Sequence, residues 1–388
     1  MFERRRMRYC MFTTIALSMR CFVIPLAELM SKSGYKMVLG CADDGKIASE
    51  IPADIEYLPL KIKRGIAFKQ TVQCIWQLYR YFRKNKIQVV EYGTENVSFC
   101  ASIAAWAARV PVRIYNHWGA RYVGFTGLAR KLSFMIERTI VIFSTTVRSC
   151  SAGNRQLSIA DGLCSPNKCK VIGDGGAIGV DLMQFDRDKK SLYASQIRKQ
   201  YGIGEQDFVF AYVGAIRKDK GTNELLSAFR KMSEEGRSAW LMMVGAPFED
   251  DPIDENLYEW ARNAQNVVFT DLVSDVHRYM AAADCLVHPS YREGFGMVIA
   301  EAGAMGVPSI TTRILGASEV AGEHCWLVNK ADVEDLKNRM CEVFDAPEQR
   351  RQMSERVFEY MNDHQDRTKV LQWHLEDRIQ VIKEYFGE

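Results

Sequence analysis

The chain has 388 residues, of which 47% are hydrophobic, and this is enough for two globular domains of ordinary size. Its formal net charge of +3 is small for this length, so we expect no nucleic-acid partner. Eleven cysteines without a repeated spacing are typical of reduced, buried thiols in a cytoplasmic protein. We expect no signal peptide, and no apolar run comes near the roughly 20 residues that span a bilayer.

Short apolar runs alternate with helical patterns along both halves of the chain, which predicts parallel sheets covered by helices. In the first half, four runs have the length and composition of buried strands: residues 9–13, 37–41, 87–91 and 112–116. A helix is predicted over residues 24–31, with Gly34 as its stop.

A strongly basic segment covers residues 61–86, which contain eight basic side chains and no acidic one. These are Lys61, Lys63, Arg64, Lys69, Arg80, Arg83, Lys84 and Lys86; Arg4, Arg5, Arg6 and Arg8 form a second cluster. Within the segment, Ile75, Leu78, Tyr79 and Phe82 form an apolar stripe with helical spacing. Two interpretations stay open: a helix packed on the sheet, or peripheral contact with an anionic membrane, where each cation contributes about 1 kcal/mol.

His117 comes directly after the predicted strand 112–116, where a side chain can face a ligand; a structural role is the alternative. Further on, residues 173–179 are rich in glycine, but no βαβ unit surrounds them as a dinucleotide site requires. We interpret this run as a loop close to a domain boundary.

In the second half, strands are predicted at residues 208–213, 240–244, 267–270 and 285–287, and the chain beyond residue 331 is predicted to be helical. The first of these strands leads into a loop with Gly214, Arg217, Lys220 and Gly221, followed by a helix. Glycines and cations between a strand and a helix predict an anion site, with Arg217 and Lys220 as diphosphate contacts. An ordinary basic turn is the alternative.

Glu293 and Glu301 flank a strand-to-helix turn and have seven residues between them. A helix over residues 297–305 would place the two carboxylates about 10 Å apart, close to the span from a donor's sugar ring to its ribose. The free amides at the helix start would hold the diphosphate between them. The predicted nucleotide-sugar site therefore comprises Gly214, Arg217, Lys220, Glu293, Gly294, Phe295, Gly296, Met297, Val298 and Glu301.

The second half resembles retaining glycosyltransferases of family 4, whose E-x7-E motif matches Glu293 and Glu301 together with the flanking Pro-Ser and Ala-x-Gly-x-Pro. The resemblance covers nearly the whole chain and is strongest with the bacterial branch that builds capsule and O-antigen units. Two positions depart from the family pattern. Ala215 stands where the family has an arginine on the diphosphate, and Ile178 replaces the asparagine of Asn-Gly-Val-Asp. Arg217 could substitute for the missing arginine.

The resemblance implies the GT-B fold, an α/β architecture of two doubly wound, Rossmann-like domains facing across a cleft. Residues 1–180 would bind the acceptor and residues 181–369 the nucleotide sugar, with a C-terminal helix over 370–388 crossing back to the first domain. Glu301 would bind the ribose diol, and Glu293 the hydroxyls of the transferred sugar. His117 would face that sugar from the first domain, so His117 and Glu293 are the predicted catalytic residues.

The implied reaction transfers a hexosyl or N-acetylhexosaminyl group from a UDP-sugar to a polyprenyl-diphosphate-linked saccharide, with retention of configuration. No Asp-x-Asp cluster lies at the proposed site, so we expect catalysis without a metal or other cofactor. The enzyme is expected in the cytoplasm, peripherally bound to the inner face of the membrane. The alternatives are a UDP-sugar 2-epimerase, a transferase with a soluble acceptor and a non-catalytic sugar-binding module. His288 is interpreted as structural.

Overall fold

A computed structural model describes residues 7–62, 65, 68–247, 251–320 and 322–387. Arg4, Arg5, Arg6, Lys63 and Arg64 of the two basic clusters lie outside these residues. The chain forms two compact units: residues 1–178 with residues 368–388, and residues 179–367. Each unit contains a parallel sheet with helices, which confirms the α/β class.

The strands of the first unit are β1 (Arg8–Ile15), β2 (Lys36–Ala42), β3 (Glu56–Pro59), β4 (Val89–Gly93), β5 (Val112–His117), β6 (Thr146–Ser149) and β7 (Cys169–Val171). Those of the second are β8 (Phe208–Val213), β9 (Ala239–Val244), β10 (Val267–Phe269), β11 (Cys285–His288), β12 (Ser309–Thr312) and β13 (Trp326–Val328). The helices are α1 (Ala16–Phe22), α2 (Ile24–Lys32), α3 (Ile47–Glu50), α4 (Phe68–Asn85), α5 (Glu95–Ala107), α6 (Gly127–Phe143), α7 (Ala152–Ala160), α8 (Lys190–Gln200), α9 (Thr222–Glu234), α10 (Glu255–Asn263), α11 (Val276–Ala281), α12 (Met297–Ala304), α13 (Ala317–Val320), α14 (Val333–Asp345), α15 (Pro347–His364) and α16 (Arg367–Phe386).

The first unit is built on a seven-stranded sheet in the order β3-β2-β1-β4-β5-β6-β7. Successive strands are added outward from β1 in one direction and from β4 in the other, so the switch point of this doubly wound sheet lies between β1 and β4. Helices α4, α5 and α6 pack on one face of the sheet, where Leu78, Phe82 and Ala101 lie in the core with Tyr92 and Tyr115. Leu78 and Phe82 belong to the predicted apolar stripe of α4. The stripe therefore faces the core, as the first of the two interpretations predicts, and peripheral membrane contact stays a prediction.

Helix α16 is fixed to the first unit by buried charges. Arg378 donates to Glu91 Oε1 at 2.6 Å and to Asn116 Oδ1 at 3.0 Å, while Arg148 pairs with Asp377 at 2.8 Å. Burial opposes the charge of Glu91, but Arg378 more than offsets it and holds the pKa of the Glu91 carboxyl below its usual value.

The glycine-rich loop after β7 packs against the same helix. Gly173 has φ of +51°, and a Cβ there would lie 2.2 Å from the ring of Trp373. The glycine at this position therefore permits close packing of α16, which accounts for it without a cofactor.

The second unit is built on a six-stranded sheet in the order β10-β9-β8-β11-β12-β13. Its switch point lies between β8 and β11. Phe210 and Val287 from these strands pack with Leu225 and Phe229 of α9 in the core. In the part of the chain that the structure describes, no helix is long and apolar enough to cross a membrane.

Candidate active site

Two loops meet at the switch point of the second sheet, one after β8 and one after β11. Gly221 ends the first loop with φ of +71°, and a Cβ there would lie 2.0 Å from the carbonyl oxygen of Pro289 in the second. The amide of Tyr291 donates to the carbonyl oxygen of Asp219 at 2.9 Å. Because ligands of doubly wound sheets bind beyond the carboxyl ends of strands at such a point, these loops define the candidate site.

A cluster of three polar side chains joins the two loops. Lys220 Nζ and His288 Nε2 lie 2.5 Å and 2.7 Å from Glu293 Oε1. Burial opposes the charge of Glu293, but attraction to Lys220 and the hydrogen bond from His288 hold the pKa of the Glu293 carboxyl well below its usual range. An ionised carboxylate can only accept, so His288 carries its proton on Nε2 and donates to it.

His288 is the site residue that sequence reasoning missed. It is the last residue of β11 and is buried, as expected of a structural histidine. Its contact with Glu293 exists because the loop turns back over the end of β11, which the sequence pattern does not show. The sequence feature that could have predicted its role is its position directly before Pro289 and the loop that carries Glu293.

The first turn of α12 follows the same loop. Gly296 is its N-cap with φ of +95°, and the amide of Ile299 donates to the Gly296 carbonyl oxygen. The amides of Met297 and Val298 precede that bond, so the helix itself does not use them. Phe295 is buried. The carbonyl oxygen of Gly294 lies so close to Gly316 that a Cβ at Gly316 would be only 2.6 Å from it. The turn thus presents backbone donors next to the Lys220–Glu293 pair.

Glu301 lies on α12, one turn beyond the amides of Met297 and Val298. Burial raises the pKa of the Glu301 carboxyl to about 7, and the charge of Arg367 opposes this shift. Glu301 and Glu293 therefore have pKa values displaced in opposite directions, as expected of two carboxyls with different tasks.

Arg217 lies on the same loop as Lys220 and pairs with two other carboxylates of the second unit, Asp219 and Asp251. Its Nε is 2.5 Å from Asp219 Oδ1 and 3.5 Å from Asp251 Oδ2. Arg292 also pairs with Asp219, at 2.9 Å. The substitution of Arg217 for the family arginine missing at Ala215 stays a prediction.

His117 ends β5 in the first unit and is almost fully buried. Its Nε2 lies 3.2 Å from Glu137 Oε2, and its Nδ1 lies 3.5 Å from Ser158 Oγ. Glu137 also accepts from the amide of Arg121. The imidazole is thus held in place by α6 and α7, and its catalytic role stays a prediction.

No metal centre is evident in the described ranges, where no group of three or more His, Cys, Asp or Glu side chains is placed to hold an ion. The cations and amides around Glu293 are the groups available to an anionic ligand there.

Two parallel-sheet units with a polar cluster at a switch point are an architecture that glycosyltransferases use. Family models show this class: "Glycosyl transferases group 1" matches residues 194–359, and "Glycosyl transferase 4-like" matches residues 14–149. The chain belongs to the family 4 glycosyltransferases, and the protein is a glycosyltransferase.

Similar proteins support this assignment. The capsular polysaccharide biosynthesis glycosyltransferase CapM of Staphylococcus aureus is 30% identical over 301 residues, 77% of this chain and 78% of CapM. The UDP-Gal:alpha-D-GlcNAc-diphosphoundecaprenol alpha-1,3-galactosyltransferase of Escherichia coli is 22% identical over 329 residues, 82% of each protein. The crystal structure of Anabaena HepE in complex with UDP and glucose superposes with a TM-score of 0.79 at 18% identity, over 96% of this chain and 100% of HepE. This likeness shows the fold, which is GT-B.

Proposed function

We propose that the enzyme transfers a hexosyl or N-acetylhexosaminyl group from a UDP-sugar to a hydroxyl of a polyprenyl-diphosphate-linked saccharide, with retention of configuration. The reaction belongs to surface polysaccharide synthesis, such as that of capsule or O-antigen. The observation that carries the proposal is the contact between the two switch-point loops, which brings Lys220, His288 and Glu293 together beside the first turn of α12. The name of the Escherichia relative supports the acceptor class, and that of the Staphylococcus relative supports a role in surface polysaccharide synthesis.

Within this proposal, Glu301 binds the ribose diol and Glu293 binds hydroxyls of the transferred sugar. The amides of Met297 and Val298 and the ammonium group of Lys220 stabilise the charge that develops on the leaving diphosphate. Lys220 is neutralised by Glu293 in the unliganded protein, so the phosphate oxygens compete with Glu293 for this cation. Because these groups supply the positive charge, turnover is expected to be independent of divalent metal, and activity should survive chelation by EDTA.

The first test is thermal stabilisation by a panel of nucleotide sugars. A ligand at 100 times its dissociation constant adds about 2.7 kcal/mol of stability, so the true donor should stand out. The product made with that donor and a lipid-linked acceptor is then analysed for anomeric configuration. Release of an epimerised free sugar would instead identify a 2-epimerase, transfer to a soluble saccharide would change the acceptor class, and binding without turnover would indicate a sugar-binding module.

A pair of variants separates the two glutamates. Glu301→Ala should weaken UDP binding. Glu293→Gln should not weaken UDP binding, because it frees Lys220 for the diphosphate, and it should lower turnover with the complete donor. Calorimetry with UDP alone measures the first effect. Equal losses of UDP affinity in both variants would refute the assignment of ribose to Glu301 and sugar to Glu293.

The acceptor class also places the enzyme in the cytoplasm at the inner face of the membrane, where such lipid-linked saccharides expose their sugars. This location requires a surface that contacts lipid, and the apolar stripe of α4 with Leu78 and Phe82 faces the core instead.

A further inference from the structure

The first unit exposes apolar side chains that its own core does not use. Helices α4 and α6 each pack against α5, on the same face of the sheet. Both carry large apolar side chains in solvent: Phe68 is 82% exposed and Leu128 is 81% exposed. The apolar ridges, as we name them, are Phe68, Val72 and Trp76 on α4 and Leu128, Leu132, Met135 and Ile142 on α6.

The spacing of these residues places them in a line along each helix. Phe68, Val72 and Trp76 are four residues apart, and Leu128, Leu132 and Met135 follow a spacing of four and three. The inward faces of the same helices hold Leu78 and Ile140 in the core. Each helix is therefore apolar on two sides, and an exposed second stripe of this kind marks an interaction surface.

The charges beside the ridges have a single sign. Along α4 and α6, all of whose residues the structure describes, the exposed charged side chains are Lys69, Arg80, Arg83, Lys84, Arg130, Lys131 and Arg138. The acidic residue of these helices, Glu137, is buried and accepts a hydrogen bond from the amide of Arg121. A partner must therefore offer negative charge at its surface and an apolar layer beneath it.

These requirements select between possible partners. A second copy in a symmetric dimer would bring the same cations against each other, which like-charge repulsion disfavours. Nucleic acid would use the cations but leave the ridges in water. An anionic bilayer satisfies both, since its headgroups attract Lys and Arg and its acyl boundary accepts apolar side chains. We infer that α4 and α6 form a docking surface for an anionic phospholipid bilayer.

The ridges also lie near the carboxyl edge of the sheet. Crossover helices between parallel strands begin near the carboxyl edge of the sheet, and most ridge residues lie in the first halves of α4 and α6. His117 ends β5 at the same edge. Docking would hold this edge close to a lipid-linked acceptor, and in that respect the inference rests on the proposed function. Vesicle binding is measured without donor or acceptor, so either proposal can fail alone.

Co-sedimentation with vesicles tests the docking surface. At low salt the full chain should bind vesicles that contain phosphatidylglycerol and should not bind pure phosphatidylcholine. Binding should fall steeply as salt is raised, because the screening length is only about 8 Å at physiological ionic strength. Quenching of tryptophan fluorescence by brominated acyl chains should weaken in Trp76→Phe.

Two triple variants of α6 separate charge from apolar contact. Neutralising three cations should lower the vesicle partition coefficient roughly a hundredfold, at about 1 kcal/mol per cation; the changes are Arg130→Gln, Lys131→Gln and Arg138→Gln. Removing the ridge should lower it at least about tenfold, given the usual gain from burying Leu and Met side chains; the changes are Leu128→Ser, Leu132→Ser and Met135→Ser.

Matched controls come from exposed residues of the second unit. The charge control is Lys199→Gln, Lys330→Gln and Arg356→Gln, and the apolar control is Met183→Ser, Leu192→Ser and Leu272→Ser. Both should bind vesicles like the wild type, and circular dichroism should show all four variants folded. Equal losses in controls and α6 variants, or binding that ignores lipid charge, would overturn the inference. So would a dimer, or an RNA complex, that the α6 variants abolish while vesicle binding persists.

Discussion

The two units hold their charged side chains in opposite ways. In the first unit, Arg378 and Glu91 are each 1% exposed and lie 2.6 Å apart, with further bonds to Asn116 and Tyr9. In the second, the Lys220–Glu293 pair is equally short but its side chains are 27% and 14% exposed. One pair is sealed in the core and the other lies at the rim of a site.

This difference corresponds to two different tasks. Separating a fully buried pair leaves an uncompensated charge in a low-dielectric interior, so such a pair fixes α16 in one position. At the partly open pair, an incoming phosphate can take over Lys220 while His288 continues to donate to Glu293. If this is right, loss of the Arg378–Glu91 pair should lower stability, and changes around the Lys220–Glu293 pair should affect ligand binding and turnover.

Arg378→Ala should have the largest effect on stability. The change leaves Glu91 buried without its counter-charge, which typically lowers the free energy of unfolding by about 3–5 kcal/mol. Scanning calorimetry should show an earlier transition for the first unit. The control is Arg351→Ala, whose partner Glu348 is also on α15; these side chains are 67% and 62% exposed. An exposed pair of this kind contributes at most about 1 kcal/mol.

A second variant checks the reason for that loss. Combining Arg378→Ala with Glu91→Gln removes the orphaned charge, so the double variant should be more stable than Arg378→Ala alone. If Arg378→Ala proves no more damaging than Arg351→Ala, the buried pair does not anchor α16.

Gly221→Ala should follow in size and should act on the site. Its φ of +71° disfavours any side chain, and its Cβ would meet the Pro289 carbonyl oxygen at 2.0 Å. Gly202→Ala is the matched control, because Gly202 has φ of +70° with nothing within 4 Å of the added Cβ. Both variants should share the left-handed penalty of about 1–2 kcal/mol. Gly221→Ala should lose about 1–3 kcal/mol more and also bind UDP more weakly. Equal stability and UDP affinity in the two variants would show that the loops do not depend on this contact.

Part of this organisation could be predicted from the sequence. Strands such as β8 and β9 are continuous apolar runs, and the motif around Glu293 and Glu301 identified the family. The strands β3, β6, β7, β12 and β13 were not predicted. All are short, and all except β13 mix their apolar residues with polar ones, whereas the equally short β10 is wholly apolar. In β12, three of the four buried residues are polar (Ser309, Thr311 and Thr312), so the segment lacks the apolar run by which a buried strand is predicted.

Contacts made by folding were also beyond the sequence pattern. Helical spacing identified the stripe with Leu78 and Phe82 but could not show that it faces the core while Phe68 and Trp76 face solvent. The hydrogen bond of His288 depends on a loop that turns back over its own strand.

His288→Ala tests the open cluster directly, because it removes a donor to Glu293 Oε1. A hydrogen bond to a charged acceptor is worth about 1.5–3 kcal/mol, so kcat should fall roughly 10- to 150-fold while UDP affinity stays unchanged. His288→Gln keeps a donor near the position of Nε2 and should recover part of the rate. In a Glu293→Gln background the loss should shrink, since His288 acts through Glu293 as a positioning residue. Additive losses of rate would mean that His288 does not act through Glu293.

The smallest effect, and the sharpest contrast between the two glutamates, concerns pH. Glu301 has its pKa raised to about 7 by burial, so near neutrality it is only partly ionised. A carboxylate accepts hydrogen bonds from a ribose diol better than a carboxylic acid does, so affinity should rise as the pH passes upward through this pKa. For a single such group, binding should strengthen by about tenfold between pH 6 and pH 8.

Uridine is the proper ligand for this test, because it lacks the phosphates of UDP, which also titrate in this range. Calorimetry at several pH values should show the step in the wild type and in Glu293→Gln, since the pKa of Glu293 lies well below this range. The step should be absent in Glu301→Gln; if it persists there, another group controls ribose binding.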